Sequence, residues 1–205
     1  MTRFSVAFLT FILAVLPVRA ETITLLALGD SLTAGLGLDP AEAFPAKLEA
    51  ALKAKGHDVV VMNAGVSGDT ASQGAARLDW ALTDDVDGVL VELGANDALR
   101  GLPPEQAEAA LDEILAKLKQ RNLPVLLLGM KAPPNLGPDY ATKFDAIYLA
   151  LAAKYEVQLY PFFLDGVAAD AKFNQADGMH PNAQGVDEIV TRVLPAVEAL
   201  LTHAK

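Results

Sequence analysis

Short apolar runs alternate along the chain with stretches of helical period. Thr22 to Leu28 (TITLLAL) is apolar, rich in β-branched residues and closed by Gly29, so it predicts a buried strand. Ala43 to Lys55 predicts a helix, with Phe44, Leu48, Ala51 and Leu52 on one face and Gly56 at its C-terminal cap. Val59 to Met62 is the second predicted strand. Ala71 to Leu82 is the next helix, capped by Asp69 or Thr70. Gly88 to Leu93 (GVLVEL) is the third strand, ended by Gly94. Pro103 and Pro104 introduce a long amphipathic helix through Lys119, with Ala107, Leu111, Ile114, Leu115 and Leu118 in one stripe. Val125 to Gly129 is strand four. Lys131 to Asp139 holds three prolines and a glycine and predicts a loop. A helix over Tyr140 to Lys154 and a fifth strand near Val157 to Tyr160 follow. Asp165 to Pro181 is mostly irregular, and Asn182 caps a last helix running to about Thr202.

Five strand–helix alternations, with strands apolar throughout, are the pattern of a parallel sheet covered on both faces. The expected fold is α/β, a three-layer α/β/α sandwich on a five-stranded parallel sheet. Ligands of such sheets bind outside the carboxyl ends of the strands.

The first twenty residues read as an address. Arg3 precedes an apolar run from Phe4 to Leu16, and Val18 and Ala20 are small residues placed for cleavage before Glu21. The run is short for a bilayer span. The expectation is a signal peptide over residues 1–20, a domain over 21–205 and export to a periplasmic or extracellular space. The mature chain is expected to be a monomer with no stable membrane insertion.

Composition narrows the partners. A chain of 205 residues that is 52% hydrophobic has material for one core. The formal net charge is -10, and removing residues 1–20 with their two arginines takes it to -12. No Lys/Arg cluster offsets this, so nucleic acid is not expected as a partner. There is no cysteine, which excludes disulfides and a thiol nucleophile.

Three predicted strand ends carry polar, glycine-rich clusters: Gly29 to Thr33 (GDSLT), Asn63 to Thr70 (NAGVSGDT) and Gly94 to Asp97 (GAND). A fourth, Asp177 to Pro181 (DGMHP), precedes the last helix. Histidine is the usual base near neutral pH. His57 lies beside Gly56 in a solvated connection, and His203 lies near the chain end, which leaves His180. The serines beyond residue 20 are Ser31, Ser67 and Ser72. Ser31 sits at a strand-to-helix turn, where a side chain is exposed and backbone donors face a developing oxyanion. Ser67, in a glycine-bounded loop, is its rival and reads more simply as a turn hydroxyl, and Ser72 as a first-turn helix residue. A serine needs a base to take its proton, and the base needs an acceptor to fix its tautomer. Asp177, three residues before His180, can supply that carboxylate. Donors for an oxyanion are the Ser31 N–H, the Gly68 N–H and the Asn96 amide, although a lone Asn could also cap a turn.

The four clusters, in this order and spanning nearly all of the mature chain, resemble the SGNH or GDSL hydrolases, through Ser31, Gly68, Asn96 and His180. VELGANDALRG (Val91 to Gly101) and DGMHPN (Asp177 to Asn182) are similar to the bacterial periplasmic branch with thioesterase, arylesterase and lysophospholipase activity. The resemblance implies a flavodoxin-like sheet and a Ser31, Asp177 and His180 triad. It also implies an oxyanion hole from Ser31, Gly68 and Asn96, with no metal or cofactor. The activity expected is serine ester hydrolysis through an acyl-enzyme, on small aryl or short-to-medium acyl esters, with thioesters or lysophospholipids as analogues.

Ser31 lies outside any G-x-S-x-G elbow. No G-x-G-x-x-G or Walker pattern supports nucleotide binding. Carbohydrate O-acetylester hydrolysis and a catalytically silent ligand-binding domain are the alternatives. The Lys131 to Asp139 and Asp165 to Ala176 segments are expected to flank a mainly apolar pocket. Glu92, a carboxylate within strand three, must find a structural partner.

Overall fold

The computed structural model describes residues 22–204, so the predicted signal segment lies outside the described residues. Five parallel strands form one sheet: β1 (Ile23–Gly29), β2 (Val59–Gly65), β3 (Gly88–Glu92), β4 (Val125–Leu128) and β5 (Gln158–Tyr160), in the spatial order β2-β1-β3-β4-β5. Register is fixed by pairs such as Leu26 with Met62 and with Val89. The helices are α1 (Ser31–Ala34), α2 (Phe44–Ala54), α3 (Ala71–Ala81), α4 (Ala95–Leu99), α5 (Pro104–Gln120), α6 (Pro138–Tyr155) and α7 (Ala183–Leu201). Helices α2 and α7 pack together on one face of the sheet, and α3, α5 and α6 form the layer on the other.

Strands β3 and β4 are buried at every residue, as apolar runs in the middle of a covered sheet should be. The edges depart from that expectation. In β2 the exposed Val60 lies between the buried Val59 and Val61, and β5 is only half-buried, because an edge strand has one neighbour and part of its surface meets water. Three further details refine the predicted elements. Ser31 heads a one-turn helix rather than a bare turn, GAND opens the short helix α4, and the Lys131 to Asp139 stretch contains a 3-10 turn (Pro134–Leu136) before α6 starts at Pro138. Proline at a first helical position loses no hydrogen bond, which is why α6 begins earlier than periodicity indicates. The caps follow expectation: Thr70 and Gln73 form a reciprocal capping box on α3, and Asn182 accepts from Gly185 N–H at the start of α7.

The chain leaves β1, adds β2 on one side, then returns to place β3 on the other side. The crevice outside the carboxyl ends of β1 and β3 is therefore the topological switch point, where open α/β sheets bind ligands. All three glycine-rich clusters end there.

Candidate active site

The first cluster is organised by Asp30. Its side chain caps α1, with Oδ1 accepting from Leu32 N–H at 2.9 Å, which leaves Ser31 as the first helical residue. Such a position has no acceptor within the helix for its N–H. Ser31 is 8% exposed, at the floor of the crevice. Arg77 of α3 donates to the Gly29 carbonyl (2.8 Å) and to Asp69 (2.6 Å), joining the first cluster to the second.

In the second cluster Gly68 has φ of +89°, a left-handed conformation that a Cβ would strain. Its carbonyl accepts from the Arg100 guanidinium at 2.6 Å. In the third, Gly94 (φ +113°) opens α4, and a Cβ there would collide with the Tyr148 hydroxyl. The turn aims Asn96 between the other two clusters: its Nδ2 donates to Asp30 Oδ2 and to the Asp69 carbonyl, each at 3.0 Å. Asp97, buried, accepts from Ala71 N–H at 2.8 Å and so ties α4 to the start of α3.

The fourth cluster closes from the far end of the chain. His180 Nε2 lies 3.0 Å from Ser31 Oγ, and its Nδ1 lies 2.7 Å from Asp177 Oδ2. Asp177 Oδ1 also accepts the N–H groups of Met179 (2.9 Å) and His180 (3.0 Å). Those two N–H groups, and then the imidazole, hold the Asp177 carboxyl down at about 2 from an ordinary 3.8. An ionised carboxylate only accepts, so the proton sits on His180 Nδ1 and the Nε2 lone pair faces the serine hydroxyl. Gln175 fastens the loop: its N–H reaches the His180 carbonyl (2.8 Å), and its amide reaches the carbonyls of Leu36 (2.7 Å) and Pro181 (2.9 Å).

The rival residues lie elsewhere or lack a partner. Ser67 is exposed and has no histidine bonded to it among the described residues. Ser72 is the second residue of α3. His57 differs from the solvated reading, since it is half-buried and its Nε2 meets Glu198 of α7 at 3.1 Å. His203 lines a separate cavity with the starts of β4 and β5, at the opposite edge of the sheet. Among the described residues, no group of three or more His, Asp or Glu is arranged to hold a metal ion.

Glu92 finds polar partners rather than a cation. Its Oε2 accepts from Thr33 Oγ1 (2.8 Å) and from Asp30 N–H (3.3 Å), while Oε1, equally buried, has no hydrogen-bond partner among the described residues. Burial, and then the charge of Asp30, pushes the Glu92 carboxyl well above its usual range. Burial likewise raises Asp30 to about 6, against the opposing bonds from Leu32 and Asn96. Arg77, Arg100 and Gln175 escape sequence reasoning, because they act on carbonyls of distant loops. For Asp30 a signal existed: aspartate immediately before a helix is a preferred cap.

A cleft of about 420 Å³ runs from Ser31, His180 and Asn96 to Met130, Pro133, Phe162 and Leu164. Of the two segments expected to flank the pocket, the first supplies Lys131 to Pro134 and the second Ala168 and Ala169, while Met130, Phe162 and Leu164 come from just outside them, and the lining is mainly apolar. Lys131 lies at its rim, with Nζ 5.0 Å from the centre of the Phe162 ring.

Residues 27–187, a stretch that begins in β1, ends in α7 and contains all four clusters, match the model of the GDSL-like Lipase/Acylhydrolase family. The chain is 40% identical over 190 residues to Esterase TesA of Pseudomonas aeruginosa, covering 92% of this chain and 94% of that protein. It is 41% identical over 181 residues to Thioesterase 1/protease 1/lysophospholipase L1 of Escherichia coli strain K12, covering 88% and 86%. It is also 41% identical over 161 residues to an Arylesterase of Vibrio mimicus, covering 78% and 80%. Among solved structures, AlinE4, described as an SGNH-hydrolase family esterase, superposes with a TM-score of 0.75 at 47% identity, covering 89% of this chain and 98% of that one. These likenesses run the length of the crevice-forming elements, and the chain belongs to the GDSL-like lipase/acylhydrolase family as a carboxylic ester hydrolase.

Proposed function

We propose that this chain hydrolyses uncharged aryl and short-to-medium acyl esters through an acyl-enzyme on Ser31, with His180 as base and Asp177 as its orienting acid. The observation that carries the reading is the unbroken line from Ser31 Oγ through His180 Nε2 (3.0 Å) and from His180 Nδ1 to Asp177 (2.7 Å). Ser31 Oγ attacks the acyl carbonyl carbon while its proton passes to His180 Nε2. The carbonyl π electrons move to oxygen, where the N–H groups of Ser31 and Gly68 and the Asn96 amide meet the new charge. Collapse expels the alcohol or thiol, which takes the proton from His180. Water, deprotonated by the same nitrogen, then attacks the acyl carbonyl carbon, and collapse breaks the bond to Ser31 Oγ, which takes the proton back from His180 as the carboxylic acid leaves.

The cleft supports the substrate class. It departs from Ser31 across the carboxyl ends of β3 and β4, and its walls of Met130, Phe162, Leu164 and prolines suit an aliphatic or aryl group. Two of the relatives named above carry thioesterase, lysophospholipase or arylesterase in their names, which favours thioesters and lysophospholipids as further substrates. Apart from Lys131 at the rim, that wall is apolar, so carbohydrate deacetylation is not favoured. Residues 1–20 are read as an export signal cleaved after Ala20, and the enzyme as a monomer. N-terminal sequencing and light scattering of the secreted protein check both.

Ser31→Ala is expected to lower kcat on p-nitrophenyl butyrate by about 10⁴-fold or more while leaving the circular dichroism spectrum unchanged. Wild type should show a burst and stoichiometric labelling by an organophosphonate. Retained turnover in Ser31→Ala would move the nucleophile to Ser67.

A further inference from the structure

Behind Ser31 lie two carboxyl groups that the proposed mechanism does not use. Asp30 is 0% exposed and Glu92 1% exposed, and among the described residues neither forms an ion pair with Lys, Arg or His. Burying such a pair is costly unless hydrogen-bond donors meet its oxygens. What it holds is specific. Asp30 Oδ1 takes the Leu32 N–H, Oδ2 takes Asn96 Nδ2, and the Asp30 N–H donates to Glu92, which Thr33 of the same helical turn also binds.

The Asn96 amide has two N–H bonds and, in the structure, two protein acceptors: Asp30 Oδ2 and the Asp69 carbonyl. For Asn96 to donate to an oxyanion, one of these bonds must give way. A bond to a buried carboxyl is stronger than one to a neutral carbonyl, and the Asp69 carbonyl belongs to the loop that carries Gly68. The Asp69 bond is therefore the one that yields, and the Asp30 bond is the pivot that survives.

Resting on the oxyanion role read above for Asn96, we propose that Asp30, braced by Glu92, is a positioning residue that anchors one N–H of the Asn96 amide so that the other is delivered to the oxyanion. Neither carboxyl touches substrate. Their effect on the oxyanion passes through Asn96, which makes the proposal testable by coupling.

Asp30→Asn is the incisive variant. Its side-chain oxygen can keep the Leu32 cap, while its NH₂ replaces Oδ2 and opposes the Asn96 NH₂, so only the pivot is broken. On p-nitrophenyl butyrate, Asn96→Ala is expected to lower kcat by about 10²-fold or more with little change in KM. Asp30→Asn is expected to lower kcat about 10- to 100-fold with KM within about threefold, and to add no further loss in the Asn96→Ala background. Glu92→Gln, which keeps the shape and loosens the brace, should give a smaller loss with the same non-additivity, and it carries the test if Asp30→Asn does not fold. An undiminished kcat in Asp30→Asn, or losses that multiply in the double variant, would overturn the positioning role while leaving the oxyanion reading intact. A normal kcat in Asn96→Ala would remove both.

Discussion

Asp30 and Asp177 place the same side chain in opposite surroundings. Burial lifts the first from 3.8 to about 6, and N–H donors hold the second at about 2. The folded protein therefore binds the Asp30 proton more tightly than the unfolded chain does. Between about pH 4 and pH 6 the native state carries more protons, so stability falls as pH rises through that window and then levels. Asp177 acts in the other sense: its contribution is complete above the unfolded value and is lost as pH falls toward 2. The expected result is that the Tm difference between wild type and Asp30→Asn shrinks or reverses as pH rises from about 4 to about 6.5. Thermal melts across that range measure it, and a difference independent of pH would contradict the raised Asp30 carboxyl.

At the scale of elements, local chemistry and long-range chemistry separate cleanly. Thr70 caps α3 through a bond to Gln73 N–H, and Gln73 answers at the Thr70 N–H. Thr70→Ala should cost about 1 kcal/mol, lowering Tm by about 2–4 °C. Asp97 also holds α3 at Ala71 N–H, so a melt unchanged in Thr70→Ala would mean that this tertiary bond suffices. Caps of this kind were legible beforehand, as were every strand, the glycine at 68 and the four clusters, because each is written within a few neighbouring residues. The short helices α1 and α4 were not, since four or five residues carry no period. The amide of Asn96 was legible as a donor, but its two acceptors were not. Asp30 and Asp69 stand 66 and 27 residues away, and only the closed sheet brings them to it. Glu92 was recognisable as a cost but not as a brace, for the same reason.

For the whole molecule, charge and topology act together. Acidic residues outnumber Lys and Arg by 26 to 16, and Lys47 and Arg192 are among the cations already paired with carboxylates, at Asp187 and Asp165, so the surface keeps a net negative field. Polyanionic thioesters should be repelled at low salt. Their kcat/KM is expected to rise as ionic strength goes from about 0.02 to 0.3 M, while that of an uncharged thioester of equal acyl length stays flat. A fall for the anionic substrate would show that Lys131 at the cleft rim outweighs the global field.

The closing of the His180 loop also bears on how the enzyme becomes an enzyme. Asp177 and His180 are three residues apart, and their pairing can form as soon as that turn does, whereas Ser31 and His180 are separated by 149 residues. Contacts of such sequence span are the slow ones to gather. On the proposed triad, the Ser31 hydroxyl meets His180 only when the loop that carries it has docked, with α7 laid against α2 and Gln175 fastened to Leu36. A partly folded chain holds a finished acid–base pair with nothing to activate. Under the proposed triad, chains that have not yet docked the His180 loop are expected to lack esterase activity, and recovery of turnover on refolding is expected to follow that late docking rather than the first folding events.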